Sequence, residues 1–312
     1  MEQKRILAGT YTDSGSEGIY SFGFENGKLS APELYAKTDS PKSISVSDGL
    51  TASITRFEDG AGAAVFDRSG KLLAKTKYET KTSCYITWHD GDIYTANYHE
   101  GTVTKLRFDG EQLSRVKTAE VREGAGCHQV LFHRNQILVP ALFLDRLMIF
   151  DRELTYQGSV VFPDGTGPRH AVFSRDHSLL YLISELSNEL FVLDSEDWKL
   201  RASIPVLKDG RTHLRGGAAV HLSDDETKLY VSTRGQDLIS VIDLNRMTVL
   251  QDAYCGGKHP RDFILTDGYA VCANRFSDTV VSFRLLQDGT IGEETSRINI
   301  PQAVSLAVMD EA

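Results

Sequence analysis

Short apolar runs alternate with polar turns along the whole chain, and one arrangement of these runs recurs roughly every 41–49 residues, a spacing typical of propeller blades. The first runs of seven such units align with one another: SPKSISV, TSCYITW, AGCHQVLF, GPRHAVF, GGAAVHL, HPRDFIL and IPQAVSLAV. A turn, a second β-rich run and a third apolar run follow in the five middle units, as in LLYLISE and ELFVLD. Short runs of this kind, separated by Gly, Asp and Asn, predict half-buried strands.

The repeated unit predicts an all-β, seven-bladed β-propeller in which residues 1–312 form a single domain. The run ILAGTYT near the start aligns with the second strand of a unit, and AVSLAVMD near the end aligns with a first strand. Pairing of these two strands would complete one blade and remove an exposed sheet edge. We therefore expect the N- and C-terminal strands to close the ring.

Polar and charged residues gather at one end of these predicted strands. If the strands of a blade, A to D from the axis outward, run alternately up and down, the start of A and the end of B reach the same face of the disc. These positions carry Lys42, Asn97, His128, Arg169, Glu185, Arg234, Arg261, Asn274 and Arg275. Their convergence predicts a concave polar site at one mouth of the central channel.

This rim holds more cations than carboxylates. Glu185 is the clearly placed carboxylate and would pair with Arg169 or Arg234. The remaining positive charge suits a carboxylate or phosphate ligand, because the planar donors of arginine match such groups. Salt bridges that merely connect blades are the alternative interpretation. We expect a solvent-reachable rim, where the loss of one ion pair costs about 0–1 kcal/mol.

Neighbouring residues on a strand point to opposite sides, and this limits which side chains can act together. Cys127 and His128 are therefore not expected to form a catalytic pair. By the same rule His170, which follows Arg169, is expected in the core or between blades.

Composition and charge exclude several classes of protein. The net charge of -9, with both signs interspersed, argues against nucleic-acid binding. No run approaches the length of a membrane span or of a secretory signal, so neither membrane association nor export is expected. The four cysteines form no CxxC pair and indicate no zinc site, and a reduced, cytoplasmic protein is the simplest interpretation. The sequence leaves the oligomeric state open.

Several motifs resemble the seven-bladed lactonase family, which includes bacterial 6-phosphogluconolactonases of the propeller type and fungal carboxy-muconate cyclases. The segments that carry the resemblance are TANYHEGTV, CHQVLF, GTGPRHAVFSRDHSLLYLISELSNEL, LSDDETKLYVSTRGQDLISV and HPRDF. The chain departs from the family at Gly126, where a second histidine is common, and at Phe143, where a glycine is usual. The resemblance implies the same propeller fold and a lactone hydrolase.

The resemblance also implies roles for individual residues. His128, Arg169, Glu185 and Arg234 match the catalytic positions of the cyclase branch. In lactone hydrolysis, His128 or Glu185 would be the general base, and the two arginines would stabilise the oxyanion. A glutamate among arginines should have a depressed pKa, which favours His128 as the base.

The substrate expected from this hypothesis is a small anionic sugar lactone, and 6-phosphogluconolactone is the favoured candidate. Arg261, Arg275 and Lys42 would hold its phosphate, and Asn97 and Asn274 are the other residues expected to bind the substrate. No metal or other cofactor is expected, since the arginines would repel a dication. A cyclase-like or other sugar lactonase, a metal-dependent gluconolactonase and a non-enzymatic binding propeller are the alternatives.

Overall fold

Seven antiparallel sheets follow one another along the chain and surround a central axis, as described by a computed structural model that covers residues 3–210 and 215–309. Within these ranges the fold is all-β, apart from short 3-10 turns at Leu142–Leu144 and Arg275–Ser277. The prediction of a seven-bladed β-propeller is confirmed.

The strands are numbered in chain order, and the blades in the order in which the chain reaches them. Blade 1 begins with β1 (Lys4–Thr10), β2 (Gly18–Glu25), β3 (Lys28–Leu29) and β4 (Glu33–Lys37). Blades 2 and 3 contain β5 (Ile44–Ser47), β6 (Leu50–Phe57), β7 (Gly60–Phe66), β8 (Leu72–Glu79), β9 (Tyr85–His89), β10 (Asp92–Asn97), β11 (Thr102–Phe108) and β12 (Leu113–Glu120).

Blades 4 and 5 contain β13 (Leu131–His133), β14 (Gln136–Ala141), β15 (Arg146–Asp151), β16 (Tyr156–Val161), β17 (Pro168–Phe173), β18 (Leu179–Ser184), β19 (Glu189–Asp194) and β20 (Leu200–Pro205). Blades 6 and 7 contain β21 (Gly217–Leu222), β22 (Lys228–Thr233), β23 (Leu238–Asp243), β24 (Thr248–Tyr254), β25 (Pro260–Thr266), β26 (Tyr269–Asn274), β27 (Thr279–Leu285) and β28 (Ile291–Asn299). The last strand, β29 (Ala303–Met309), returns to blade 1.

The two ends of the described chain meet in blade 1. Strand β29 is the innermost strand of that blade and pairs antiparallel with β1, with Arg5 opposite Met309 and Ala8 opposite Leu306. The pairing gives β1 a hydrogen-bonded neighbour on both sides. An unpaired edge strand is thereby avoided.

The hydrophobic core lies between blades rather than within one sheet. Ile183 and Val192 of blade 5, for example, share a buried cluster with Val231 and Ile242 of blade 6. Second and third strands are therefore covered on both faces, which explains their almost continuously apolar sequences. The outermost strands, such as β20, are largely exposed. Polar side chains of the innermost strands are left to face the axis, and these strands determine where the channel chemistry lies.

Candidate active site

One mouth of the central channel is formed by the D-to-A connections and the B-to-C turns of the blades. In blades 1 and 4–7 the residue that follows the B strand donates its backbone N–H to the neighbouring connection, as Glu185 does to the Gly167 carbonyl at 2.8 Å and Arg234 to the Gly216 carbonyl at 2.9 Å. Below this mouth the innermost strands enclose a cavity of about 210 Å³. The cavity is lined by four of the residues predicted from the sequence: Lys42, His128, Arg169 and Arg261.

Glu185 links two arginines from neighbouring blades. Its Oε2 accepts a hydrogen bond from Arg169 Nε at 2.9 Å and lies 2.7 Å from Arg234 Nη2. Burial alone would raise the pKa of Glu185, but Arg169 and Arg234 outweigh it and hold the pKa below its ordinary value. The carboxylate is therefore ionised at neutral pH and is a weak base. We call these three residues the arginine–glutamate triad.

Arg169 is buried, which corrects the expectation of a solvent-reachable arginine. Its side chain is only 1% exposed, and Nη1 donates to the backbone carbonyl of Ala218 in the next blade. Burial, reinforced by the nearby charge of Arg234, lowers the pKa of Arg169 to about 9, so the guanidinium remains protonated at pH 7. Arg169 therefore holds two blades together in addition to lining the cavity.

A β-bulge explains why Arg169 reaches the channel together with the residue that follows it. The ladder between β17 and β18 shifts after Pro168, which pairs with Ser184, while His170 pairs with Ile183. Arg169 is the extra residue, and such a bulge re-aims side chains. The expectation that His170 lies away from Arg169 is therefore wrong, since both line the cavity.

His128 and His170 contact each other inside the cavity. Nδ1 of His128 lies 3.1 Å from Nε2 of His170, and His128 is 4% exposed. Burial, together with the charge of Arg169, lowers the pKa of both rings well below the ordinary histidine value, so both are neutral at pH 7. Cys127 is directed into the core, where burial raises its pKa to about 12. A Cys127–His128 pair is not formed.

The opposite part of the mouth holds three cations around one aromatic ring. The Arg275 guanidinium lies 3.9 Å from the centroid of Tyr11, Arg261 lies 5.6 Å away, and Lys42 Nζ lies 5.7 Å away. No carboxylate of the described residues forms a salt bridge with any of these cations, and the Nζ of Lys42 donates to the Thr82 carbonyl at 3.3 Å. We call Tyr11, Lys42, Arg261 and Arg275 the cation–tyrosine cluster.

Sequence reasoning missed Tyr11, although the pattern contained a signal for it. Tyr11 directly follows β1, the B strand of blade 1, and its N–H donates to the Gln302 carbonyl at 3.2 Å. Arg275 has the same position after β26 and donates to the His259 carbonyl at 3.1 Å. A systematic comparison of the residue after every B strand would have included Tyr11 in the site.

Asn97 and Asn274, predicted to bind substrate, are buried and engaged elsewhere. Asn97 Nδ2 donates to Glu79 Oε2 at 2.8 Å and to the Lys81 carbonyl at 2.6 Å, while its oxygen accepts two N–H groups of its own turn. Asn274 Nδ2 donates to the Cys255 carbonyl at 3.0 Å. Both residues are at most 1% exposed. Their amides stabilise turns instead of facing the cavity, so we leave them out of the site.

The channel also contains a carboxylate that the sequence pattern did not emphasise. Asp262 lines the cavity, and its Oδ2 accepts the N–H of Leu306 at 2.8 Å, while Oδ1 accepts the N–H of Phe263 at 3.0 Å. The bond from Leu306 connects blade 7 to β29. Asp262 therefore contributes to ring closure, and the cation-rich character of the mouth remains.

The two departures from the family pattern lie next to each other. Gly126 has a φ of +75°, and a Cβ atom there would lie 3.0 Å from Leu142 Cβ and 3.1 Å from Phe143 Cδ2. The Phe143 ring is half-exposed and contacts Tyr98, whose ring in turn contacts His128. A histidine at 126 and a phenylalanine at 143 would therefore compete for space, so the two departures amount to one change in packing beside His128.

Together, the fold and the site define a seven-bladed propeller with a cation-rich binding site at one mouth of its channel. The described residues contain no group of three or more His, Cys, Asp or Glu side chains arranged to hold a metal ion. They also contain no helix that is both long enough and apolar enough to span a membrane.

Comparison with known proteins places this chain in a family. The family described as "Lactonase, 7-bladed beta-propeller" matches residues 5–308, and the chain belongs to it. A relative, the 6-phosphogluconolactonase of Bacillus subtilis (strain 168), is 29% identical over 340 residues, which cover 97% of each chain.

Solved structures share the fold over almost the whole length. A protein from Lactobacillus plantarum superimposes with a TM-score of 0.91 at 24% identity and covers 99% of this chain and 100% of its own. The periplasmic gluconolactonase of Pseudomonas aeruginosa gives a TM-score of 0.88 at 23% identity, with 99% of each chain covered. At these identities the likeness concerns the fold.

Proposed function

We propose that this protein hydrolyses a phosphorylated sugar lactone, with 6-phosphogluconolactone as the substrate, and that it needs no metal ion. The observation that carries the proposal is the division of the channel mouth into two parts. One part holds neutral histidines beside the arginine–glutamate triad, and the other is the cation–tyrosine cluster, whose cations form no salt bridge with a carboxylate of the described residues. The activity of the Bacillus subtilis relative supports the same assignment.

The cation–tyrosine cluster would bind the phosphate. Lys42 and Arg261 line the cavity, and Arg275 stands beside them at the mouth. Guanidinium groups bind phosphate through two parallel donors, and a lysine adds a compact charge. A dianion is the ligand class that such a group of cations favours, so a phosphorylated lactone should bind more tightly than the free sugar lactone.

His128 would activate the attacking water. A neutral imidazole has one acceptor nitrogen, and Nδ1 of His128 can donate to Nε2 of His170. In that tautomer Nε2 of His128 keeps its lone pair and can accept a proton from water as the water attacks the lactone carbonyl. The same ring would then return the proton to the ring oxygen that leaves. Glu185, held by two arginines, would serve as an orienting group instead of the base.

The tetrahedral intermediate carries a negative oxygen that the triad would stabilise. In Arg169, Nε and Nη1 already donate to Glu185 and to the Ala218 carbonyl, and the remaining nitrogen, Nη2, is available for an oxyanion. Donors fixed before the reaction stabilise developing charge without reorganisation. Arg234, bound to the same carboxylate, would assist from the next blade.

Substrate binding would also make His128 a better base. Burial and the charges of Arg169, Arg261 and Arg234 lower the pKa of His128. A phosphate dianion beside Arg261 would offset part of this field and raise the pKa of His128 toward neutrality. The base would therefore be strongest when the correct substrate is in place.

The cytoplasmic location expected from the sequence remains part of this proposal. It is supported by the four cysteines, which are all free thiols.

Hydrolysis measurements with purified protein test the proposal. We expect 6-phosphogluconolactone to be hydrolysed faster than its spontaneous rate, with and without EDTA, and free gluconolactone to react with a higher KM. His128→Gln should lower kcat/KM about 100-fold, whereas His177→Gln, on an exposed A-to-B turn, should leave it unchanged. A wild-type rate equal to the spontaneous rate, or equal rates for the two variants, would contradict the proposal. Loss of activity in EDTA that calcium restores would instead favour a metal-dependent enzyme.

A further inference from the structure

Tyr11 is the one member of the cation–tyrosine cluster that carries no charge. It lies half-buried at the channel mouth, directly after β1, and its backbone N–H is fixed by the Gln302 carbonyl. Because β1 pairs with β29, the position of Tyr11 is determined by ring closure. Backbone contacts therefore fix where the Tyr11 side chain leaves the chain, independently of the cations around its ring.

The cations are arranged about this ring, and they would otherwise repel one another. Arg275 lies 3.9 Å from the ring centroid, within the range of a cation–π interaction, and its Nε also donates to Gln302 Oε1 at 3.3 Å. Arg261 and Lys42 lie within 6 Å of the same centroid, at 5.6 and 5.7 Å. A neutral aromatic face can hold cations near one point without cancelling their charge, whereas a carboxylate would neutralise them.

The Tyr11 hydroxyl has no hydrogen-bond partner among the residues that the structure describes. In the same part of the structure Lys42, Arg261 and Arg275 have no carboxylate partner. A hydroxyl donor within a group of unpaired cations is suited to an oxyanion with several acceptor oxygens and more than one negative charge, which describes a phosphate ester better than a carboxylate.

We propose that Tyr11 is a specificity-determining residue for phosphorylated substrates: its ring holds the three cations around one point, and its hydroxyl donates a hydrogen bond to the phosphate. The inference rests on the proposed function, because it assigns the phosphate of that substrate to this part of the mouth. It adds a residue that selects the substrate class and takes no part in the proton transfers.

The electrostatics of the cluster agree with this role. Burial would raise the pKa of Tyr11, but Arg261, Lys42 and Arg275 outweigh burial and lower it below the ordinary tyrosine value. A phosphate bound among the cations would offset their field and raise the pKa again. The ionisation of Tyr11 therefore reports whether an anion occupies the cluster.

Binding measurements test the role of the ring and of the hydroxyl separately. Calorimetry with 6-phosphogluconate, a stable product, and with gluconate would be performed on the full chain and on three variants. Tyr11→Phe should weaken 6-phosphogluconate binding about tenfold or more, as expected for a hydrogen bond to a charged group, and Tyr11→Leu should weaken it further. Gluconate binding should change little. Tyr156→Phe, on an exposed outer strand, is the matched control and should bind both ligands like the wild type.

Tyrosinate absorbance gives a second measurement that does not depend on turnover. The wild type should show one tyrosine with a lowered pKa that is missing from Tyr11→Phe, and inorganic phosphate should shift that ionisation to higher pH. A titration that phosphate leaves unchanged would overturn the inference. Equal 6-phosphogluconate affinities in the wild type and Tyr11→Phe would overturn it as well.

The inference and the proposed function can fail independently. If the wild type hydrolyses both lactones but does not prefer the phosphorylated form, lactone hydrolysis stands and the role of Tyr11 is wrong. If no lactone is hydrolysed, yet 6-phosphogluconate binds and Tyr11→Phe weakens that binding, the phosphate site stands and the proposed reaction is wrong.

Discussion

Nδ1 of His128 lies 3.1 Å from Nε2 of His170, so two neutral imidazoles from neighbouring blades share one hydrogen. If His128 is the donor, its Nε2 is left as an acceptor for water. If His170 is the donor, the His128 ring has no free acceptor. The proposed reaction therefore depends on a tautomer that His170 selects.

Replacement of His170 should disturb catalysis through this tautomer. His170→Leu provides no acceptor, and we expect kcat/KM to fall about tenfold or more. His170→Gln, whose amide oxygen can accept the same hydrogen, should recover part of the loss. The measurement is kcat/KM as a function of pH for both variants. Equal losses in the two variants would show that His170 acts by packing instead.

Buried neutral histidines should make the protein less stable in mild acid. Burial lowers the pKa of His128 well below its ordinary value, and burial with the charge of Arg234 lowers that of His259 to about 3. The unfolded chain binds protons below about pH 6.5 while these folded rings do not, so each group reduces stability by about 1.4 kcal/mol per pH unit in that range. Above the unfolded pKa neither state binds the proton, so this loss of stability is absent there and grows as the pH falls toward the folded pKa.

Unfolding free energies between pH 7 and 5 check this linkage. The slope with pH should be shallower in His128→Gln than in the wild type, whatever the absolute stability of the variant. Val161→Ala, an exposed apolar position on an outer strand, replaces no titratable group; it is the control and should keep the wild-type slope. Parallel curves for His128→Gln and the wild type would contradict a neutral buried ring.

Three arginines near strand ends, Arg169, Arg56 and Arg234, should differ in their importance for stability. Arg169→Met removes a fully buried charge with partners in two blades, and we expect a loss of about 3–5 kcal/mol. Arg56→Met removes a half-exposed pair with Asp13 and Asp39 and should cost about 0–1 kcal/mol. Arg234→Met should lie between them. Thermal melts of the three variants test this order, and equal losses would refute it.

Removal of one phosphate contact should change KM selectively. Arg261→Met should raise KM for the phosphorylated lactone while leaving KM for gluconolactone nearly unchanged, since the lost contact acts equally in the bound and transition states. Because the charge of Arg261 lowers the pKa of His128, its removal should not lower kcat with either lactone. Arg284→Met is a suitable control, because this arginine lies over Tyr269 on an outer surface. A fall in kcat with both lactones would place Arg261 in the reaction itself.

Deletion of residues 300–312 should open the ring. The truncation removes β29, and it exposes one edge of β1, where Leu7 and Ala8 are now fully buried. We expect aggregation or loss of cooperative unfolding, as for any exposed apolar edge. Addition of the missing segment as a peptide should restore part of the cooperativity. A truncated chain that melts like the full chain would show that closure is unimportant.

The fold could be predicted from the sequence because seven similar units repeat one polarity pattern. The positions of Glu185 and Arg234 also followed, since the residue after the B strand has the same place in blades 1 and 4–7. The burial of Arg169 could not be predicted, because it depends on a bulge and on a carbonyl in the next blade. The turn-stabilising role of Asn97 and Asn274 is likewise a property of three-dimensional contacts.

The bulges of the innermost strands let one segment present a side chain to the channel without disturbing its pairing with the neighbouring strand. Arg169 and Arg261 are each an extra residue without a partner in the ladder, and the pairs that follow, such as Ala171 with Leu182, keep their register. A channel side chain at such a point can be gained or lost by insertion or deletion of a single residue, while the rest of the blade stays in place. The chemistry of this channel can therefore change through chain length as well as through substitution.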